Sequence, residues 1–491
     1  MQNIVRDIQL HLRARYPIIY LLTYEEQRTW RVLKFLAQEE GVVLYRWRQT
    51  VGLEGPDGVV QNTQQVESAL EAFSAITEPA YCVLWDVHTD LERPSVVRWV
   101  RDLCLSIGSK QQALIFMGPT LRFPEELEKS LAIIDIPLPS RAEGERLLRV
   151  LCDSQSIEIE PELFERFVQG SLGLTEEQIK RLYNRILLGG KGFSESDLIV
   201  QNQEKRRAIR RSQFLEFWDT SNLDIDVGGL DNLKKWLSSR SLAFTADARK
   251  FGLPEPKGLF LLGVQGCGKS LMAKSVAKMW KQPLLRLDIS AAMQMVGKAE
   301  ESLRETIRIV ESMAPAILWI DELEKGFTLD SSSGALGYFL TWMQEKTQPV
   351  FVVATANEVR ALPPELLRKG RFDEIFFVDL PDIHERLEIL DIHLRQRNRA
   401  PEKFDLTFVT EETERFSGAE LEEVVISGLF NAFSEGRPLN TIDLLESARA
   451  IVPLAITMDD QLKELRDWAR PRARRATADR RRFDFFLNWE E

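Results

Sequence analysis

Gly263-Val264-Gln265-Gly266-Cys267-Gly268-Lys269-Ser270 sets the tightest limit on how this chain can fold. The octet follows the apolar run Leu259-Phe260-Leu261-Leu262, which reads as a buried strand. It precedes Leu271-Met272-Ala273-Lys274-Ser275-Val276-Ala277-Lys278, which reads as a helix. Strand, glycine-rich loop and helix in that order put backbone N–H groups and the positive end of a helix around an anion. The glycines let the backbone wrap phosphates, the Lys269 ammonium is expected on the β and γ groups, and the Ser270 hydroxyl on Mg²⁺. The expected nucleotide contacts here are the eight loop residues and Leu271. A chance glycine-rich turn would lack the two flanking elements.

At 491 residues the chain exceeds one ordinary core, so two or three domains are expected. The composition, 44% hydrophobic and 28% charged, is that of a globular protein, and no apolar run nears the ~18 residues of a membrane span. The amino terminus has neither the apolar core of a secretion signal nor the acid-poor, serine-rich character of a transit peptide. Cys82, Cys104, Cys152 and Cys267 lack metal-ligand spacing, and a reducing compartment is expected. A net charge of −11 argues against nucleic acid as partner. Basic residues still gather at Lys205-Arg206-Arg207 with Arg210-Arg211, and from Arg466 through Arg470, Arg472, Arg474 and Arg475 to Arg480-Arg481-Arg482. The second group, followed by Phe483, Phe485, Phe486 and Trp489, reads as a solvated arm or as a strip for an acidic partner.

Two further apolar runs end in polar residues. Ile317-Leu318-Trp319-Ile320 runs into Asp321-Glu322 and reads as a buried parallel strand whose carboxyl end opens on the site. Asp321 is expected in the Mg²⁺ shell and Glu322 on the attacking water. Val350 to Val353 leads to Ala354-Thr355-Ala356-Asn357, and Asn357 at a strand tip can bond the γ-phosphate and the same water. Arg368 and Arg371 flank Gly370. They are ordinary surface charge, or they reach a neighbouring subunit's nucleotide, a contribution worth about 10³–10⁵ in rate.

Together these residues resemble the AAA ATPase family, over about Asp224 to Ala450. Ser417-Gly418-Ala419 looks like that family's helical-lid motif, Asp226-Val227-Gly228-Gly229-Leu230 like its adenine-contacting segment, and His393 like its nucleoside-contacting histidine. The resemblance implies a P-loop αβα sandwich with a C-terminal α-helical lid, Mg²⁺-dependent ATP hydrolysis, and a homo-oligomeric ring, usually a hexamer, with sites at subunit interfaces. It adds Val227, Gly228, His393, Gly418 and Ala419 to the nucleotide contacts. Two departures stand out. Cys267 replaces a threonine and reads as a passive small residue or a redox-sensitive thiol. Met295-Val296-Gly297 lacks the aromatic of the family's pore loop, which weakens the case for threading polypeptide.

Residues 1–195 read as a degenerate AAA-like α/β domain; an unrelated α/β domain is the other reading. Shifting by 240 puts Leu21-Leu22 on Leu261-Leu262 and Thr29 on Lys269, with the glycines and the lysine gone and Glu25 and Glu26 repelling phosphate. Val83-Leu84-Trp85-Asp86 resembles the carboxylate strand without its glutamate, and Ala113 to Met117 the next strand without its asparagine. No hydrolysis is expected there; substrate docking or ring stabilisation is. The whole pattern resembles uncharacterised AAA proteins of algal plastid genomes and cyanobacteria, which implies a cyanobacterial-type cytoplasm or a plastid stroma. The expected plan continues with a basic linker at 196–222, the large ATPase subdomain at 223–395, the lid at 396–457 and an arginine-rich tail at 458–491. The expected work is ATP-driven remodelling of a protein partner; a nucleotide-switched scaffold and a nucleic-acid remodeller rank behind it.

Overall fold

The computed structural model describes residues 2–189, 192–209, 214–218, 225–244, 246–295, 299–327 and 334–478. The chain divides into two compact units, Met1–Gln201 and Asn202–Glu491.

The first unit holds one sheet of β1 (Ile18–Leu22), β2 (Val43–Arg48), β3 (Gly52–Gly55), β4 (Gly58–Val59), β5 (Ala80–Trp85), β6 (Gln112–Gly118) and β7 (Leu131–Asp135), ordered β4-β3-β2-β5-β6-β1-β7. From β2 to β7 neighbours run parallel, and β3 and β4 extend the edge antiparallel. β1 and β5 are apolar throughout because both faces are covered. Leu33, Leu36 and Ala37 of helix Glu26–Glu40 cover one face, and Phe73, Val96 and Ile107 the other. Helices Arg141–Gln155, Pro161–Ser171 and Glu176–Leu188 follow the sheet.

The second unit repeats the plan with β8 (Leu215–Trp218), β9 (Gly258–Gly263), β10 (Leu284–Leu287), β11 (Ala316–Ile320), β12 (Val350–Ala356), β13 (Glu374–Val378) and β14 (Arg474–Arg475), ordered β14-β13-β9-β12-β11-β10-β8. Only β8 is antiparallel to its neighbour. The five central strands β13-β9-β12-β11-β10 follow the same order as β7-β1-β6-β5-β2, and each unit adds an antiparallel edge beyond the last of them. Even the edge pairing repeats: Arg46 stands opposite Glu54, and Arg286 opposite Glu216. The lid follows, built on helices Ile383–Gln396, Leu406–Glu412, Gly418–Ser434 and Thr441–Ala450 around Leu390, Val409, Val424 and Leu444. Among the described residues no helix is long and apolar enough to cross a membrane. All four cysteines are free.

Three stretches differ from the sequence reading. The lid begins with helix Ile383–Gln396, ahead of the expected 396, because Leu390 and Leu394 pack in the lid core. The supposed linker carries helix Asp197–Ile209, with Gln201 and Lys205 buried, and then β8, hydrogen-bonded into the second sheet. Its polar residues hid the pattern, since a buried lysine stem counts as charge in any hydropathy count. The supposed tail is ordered as far as its description goes: helix Asp459–Ala469 precedes β14, which pairs with β13, and Ala476 is fully buried. A two-residue strand bound through its backbone, with both arginines exposed, leaves no trace in side-chain periodicity. Two of the basic residues are spent internally: Arg207 on Glu204 and Arg466 on Asp379. Arg210, Arg211, Val296, Gly297 and residues 479–491 lie outside the described residues, so most of the pore-loop reading and the aromatic end of the tail do too.

Burial drives the Lys205 ammonium down to about 7, beside the Phe217 ring. The unfolded chain keeps this proton up to the ordinary lysine range, about 10.4. Stability therefore falls as pH drops from that range to about 7, and stays at the lower level below. Lys205→Met should raise Tm by more at pH 6 than at pH 9.5 in thermal scans; an equal gain at both would refute a buried ammonium.

Candidate active site

β9 delivers its carboxyl end directly into the loop, where Val264 N–H bonds the Val378 carbonyl at 3.1 Å. Gly266 and Gly268 take φ of 77° and 83°, a region other residues enter only with strain, and the helix begins at Lys269. Lys269 is 6% exposed, and its Nζ donates to the carbonyls of Gly263 and Val264 at 2.9 and 2.7 Å. Burial lowers its ammonium to about 8. Carbonyls are weaker partners for a buried ammonium than phosphate oxygens, so the site is electrostatically matched to an anion. Cys267 is buried, and burial pushes its thiol up to about 12, away from the thiolate that a redox-sensitive role requires, which favours the passive reading.

β9, β12 and β11 are neighbours, so their tips converge. Ser270 Oγ donates to Asp321 Oδ1 at 2.9 Å, and Thr355 Oγ1 donates to the same oxygen at 2.6 Å. Thr355 Oγ1 also accepts the Glu322 N–H at 3.0 Å. Glu322 stands at φ 51°, which turns its carboxylate out of the strand line. Asn357 Nδ2 donates to Glu322 Oε1 at 3.3 Å, and Lys325 Nζ lies 2.5 Å from Oε2. Buried Glu324 accepts the Asn357 N–H at 2.9 Å and so fixes that strand tip. The sequence reading missed Thr355, Glu324 and Lys325. Their only signals were a hydroxyl inside an apolar strand and charges just beyond Asp321-Glu322.

Beside the loop lies a cavity of about 350 Å³ lined by Val227, Gly228, Gly266, Cys267, Gly268, Leu271, His393, Gly418 and Ala419, among others. The lid closes on the loop through Ala419 N–H to the Gly266 carbonyl at 3.0 Å. Gln265 is exposed and lies off this lining, while Gly263 and Val264 sit at the Lys269 end. Burial lowers the His393 pKa, against the pull of Glu422, so the ring is neutral at neutral pH. Arg368 and Arg371 stand apart. Among the described residues neither bonds Lys269, Asp321 or Glu322; Arg368 is exposed, and Arg371 Nη1 is buried without a partner. No group of three or more His, Cys, Asp or Glu gathers among the described residues, as a metal held by protein alone would need. A serine hydroxyl and one carboxylate in contact suit Mg²⁺, which rests on few protein ligands and on phosphate oxygens.

The first unit shows what fills this place when it is lost. Helices Glu26–Glu40 and Lys269–Trp280 end on left-handed Gly41 and Lys281, 240 positions apart. In that register Thr29 stands for Lys269 and Trp30 for Ser270, and the helix starts early, at Glu26, where the second unit loops. Strand pairing aligns Met117 with Thr355, and hence Trp85 with Asp321 and Asp86 with Glu322. Asp86 shares the left-handed turn, at φ 53°. This corrects the sequence reading: the acid missing here is the counterpart of Asp321, and the counterpart of Glu322 survives as Asp86. The Ser270–Asp321 bond is replaced by the Trp30–Trp85 ring pair, edge to face at 6.3 Å under the Arg46 guanidinium. The lid contact persists, but Glu176 N–H now meets the Glu25 carboxylate at 2.8 Å. A hollow of about 800 Å³ in this unit, between His88 and Phe123, is lined by none of these positions.

The model for the ATPase family associated with various cellular activities (AAA) matches residues 259–380. Those for the N-terminal and second domains of SpoVK-like AAA ATPases match 4–136 and 142–212. The chain belongs to the AAA ATPase family and is an ATP hydrolase. It is 38% identical over 481 residues to the AAA domain-containing protein ycf46 of Guillardia theta, covering 95% of both chains. It is 37% identical to ycf46 of Pyropia yezoensis over 480 residues, covering 95% of this chain and 98% of that one. A shorter likeness, 35% over 207 residues, links it to the proteasome-activating nucleotidase of Aeropyrum pernix, over 40% of this chain and 50% of that one.

Saturated protein should hold one nucleotide per chain by isothermal titration; two would show that the first unit keeps a working site. Thr355→Val, which frees Asp321 and Glu322 together, should lower kcat about 10–100-fold with nucleotide binding retained.

Proposed function

We propose that the second unit binds Mg²⁺–ATP and hydrolyses it within a homo-oligomeric ring, a hexamer, that remodels a protein partner. The carrying observation is the contact of Ser270 with Asp321 beside buried Lys269, with Glu322 and Asn357 bonded at the adjoining tips. Loop N–H groups and the Lys269 ammonium hold the β and γ phosphates. Ser270 and Asp321 hold Mg²⁺, which when bound neutralises charge developing on the transferred phosphoryl group. Glu322, steadied by Asn357, orients and polarises water. Val227, Gly228, Leu271, His393, Gly418 and Ala419 enclose the nucleoside.

Arg368 and Arg371 serve the neighbouring subunit's nucleotide. What supports this is that both lie off their own cluster while Arg371 Nη1 is buried and unpartnered among the described residues. The first unit, its metal-ligand positions filled by indoles, docks substrate or stabilises the ring. Likeness to the ycf46 proteins of algal plastid genomes supports a plastid stroma or cyanobacterial-type cytoplasm. A second reading, a nucleotide-switched scaffold without threading, is favoured by the exposed Met295 in place of a pore aromatic. Loss of partner-stimulated turnover in Met295→Ala would favour the threading machine over the scaffold.

Glu322→Gln should keep ATP binding and lower turnover at least about 10²-fold; normal turnover would sink the assignment. Mixing Arg371→Ala with Lys269→Ala protein should restore part of the activity at hybrid interfaces. No recovery at any ratio would place Arg371 outside the reaction.

A further inference from the structure

Beyond β14 the chain crosses the start of helix Asp231–Ser241, just past the segment Asp226 to Leu230. The Ala476 carbonyl accepts the N–H groups of Asn232 and Leu233 at 3.0 and 3.2 Å, and the Thr477 carbonyl accepts Asn232 Nδ2 at 2.8 Å. The Thr477 hydroxyl donates to Glu385 Oε1 at 2.9 Å. The same oxygen accepts the Leu230 N–H at 2.9 Å, and Oε2 accepts the Asp382 N–H at 3.1 Å. Glu385 is only 3% exposed. One turn on, Glu388 Oε2 accepts the Gly229 N–H at 2.7 Å. Gly229 has φ 67°, and a Cβ there would stand 2.3 Å from Glu385 Oε1, so only glycine lets the backbone come this close. The segment that lines the cavity with Val227 and Gly228 therefore hangs from two carboxylates, and Thr477 holds one of them.

The residues just before β14 grip the other walls. Arg466 binds Asp379, which lines the cavity, through Nε at 3.0 Å and Nη2 at 2.8 Å. Leu454 N–H donates to Glu420 Oε1 at 2.7 Å, and Glu420 closes the capping box of the helix whose Ala419 holds Gly266.

We infer that Glu385 is a positioning residue for the nucleoside and that the carboxy-terminal segment, through Thr477, sets how tightly this protein holds ATP. The inference rests on the ATPase reading of the second unit. A loop bonded to a fixed carboxylate is already in its binding shape; released, it must be ordered at the expense of the ligand. The γ-phosphate end is not touched, so affinity should change and chemistry should not.

The test uses the full chain, a fluorescent ADP analogue for binding and ATP turnover for kinetics. Thr477→Val removes one hydroxyl donor and keeps the shape. It should weaken binding of the analogue and raise KM for ATP about 3–10-fold, with kcat at saturation within about twofold of wild type. Thr477→Ser should restore both. Glu385→Gln should lose affinity similarly, and the double variant should be no worse than Glu385→Gln alone. Unchanged affinity in Thr477→Val, a lower Tm without a change in affinity, or fully additive losses would overturn the inference. A wild-type chain that fails to bind the analogue would remove the ATPase reading itself, a result separable from all of these.

Discussion

The hydroxyl of Ser270 against the carboxylate of Asp321 is the contact on which the second unit depends. The two residues are 51 positions apart, and they meet because β12 lies between β9 and β11 with all three strands parallel. Parallel order sends the three carboxyl ends to one edge, where the turns after them share a small volume. Thr355, on the middle strand, bonds the Asp321 carboxylate and the Glu322 backbone and so joins the two acids at the strand tip. Lys269 completes the field from the helix start, bound to carbonyls that a phosphate can replace.

The first unit shows the same scaffold with those residues replaced. Strand order, helix caps and the Arg–Glu edge pair persist, while the hydroxyl–carboxylate contact has become an indole pair and the lysine a threonine whose hydroxyl is buried without a partner among the described residues. Around it Arg28 binds Glu143, Arg31 binds Glu176, and Glu25 holds the Glu176 N–H. These bonds fasten the later helices of the unit to helix Glu26–Glu40 with side chains, where the lid of the second unit meets the Gly266 carbonyl through its backbone.

The carboxy-terminal segment stands behind the wall of the cavity that Val227 and His393 line. It is tied to the lid through Glu420, to the cavity edge through Asp379, and to the segment at Leu230 through Glu385. Its arginines are divided by that role: Arg466 is spent on Asp379, while Arg474 and Arg475 face outward from a strand held by its backbone.

Gly263 to Ser270, Asp321-Glu322 and Asn357 were legible in the sequence because phosphate and metal chemistry permits few residue types, and each sits at the end of an apolar run that marks a buried strand. Lys269 and Thr29 could even be matched by counting, since a helix of fixed length carries register along the chain. What counting could not supply was register between strands. Only the pairing of β5 with β6 puts Trp85, not Asp86, at the place of Asp321. Thr355, Glu324 and Glu385 act through bonds to residues 33 to 155 positions away, or to the backbone, and such contacts have no local signature. The sequence by itself determined which chemistry the chain can perform, because that is a matter of residue type. The tertiary structure alone decided which strand tips and which end of the chain hold those residues in place, because that is a matter of long-range pairing.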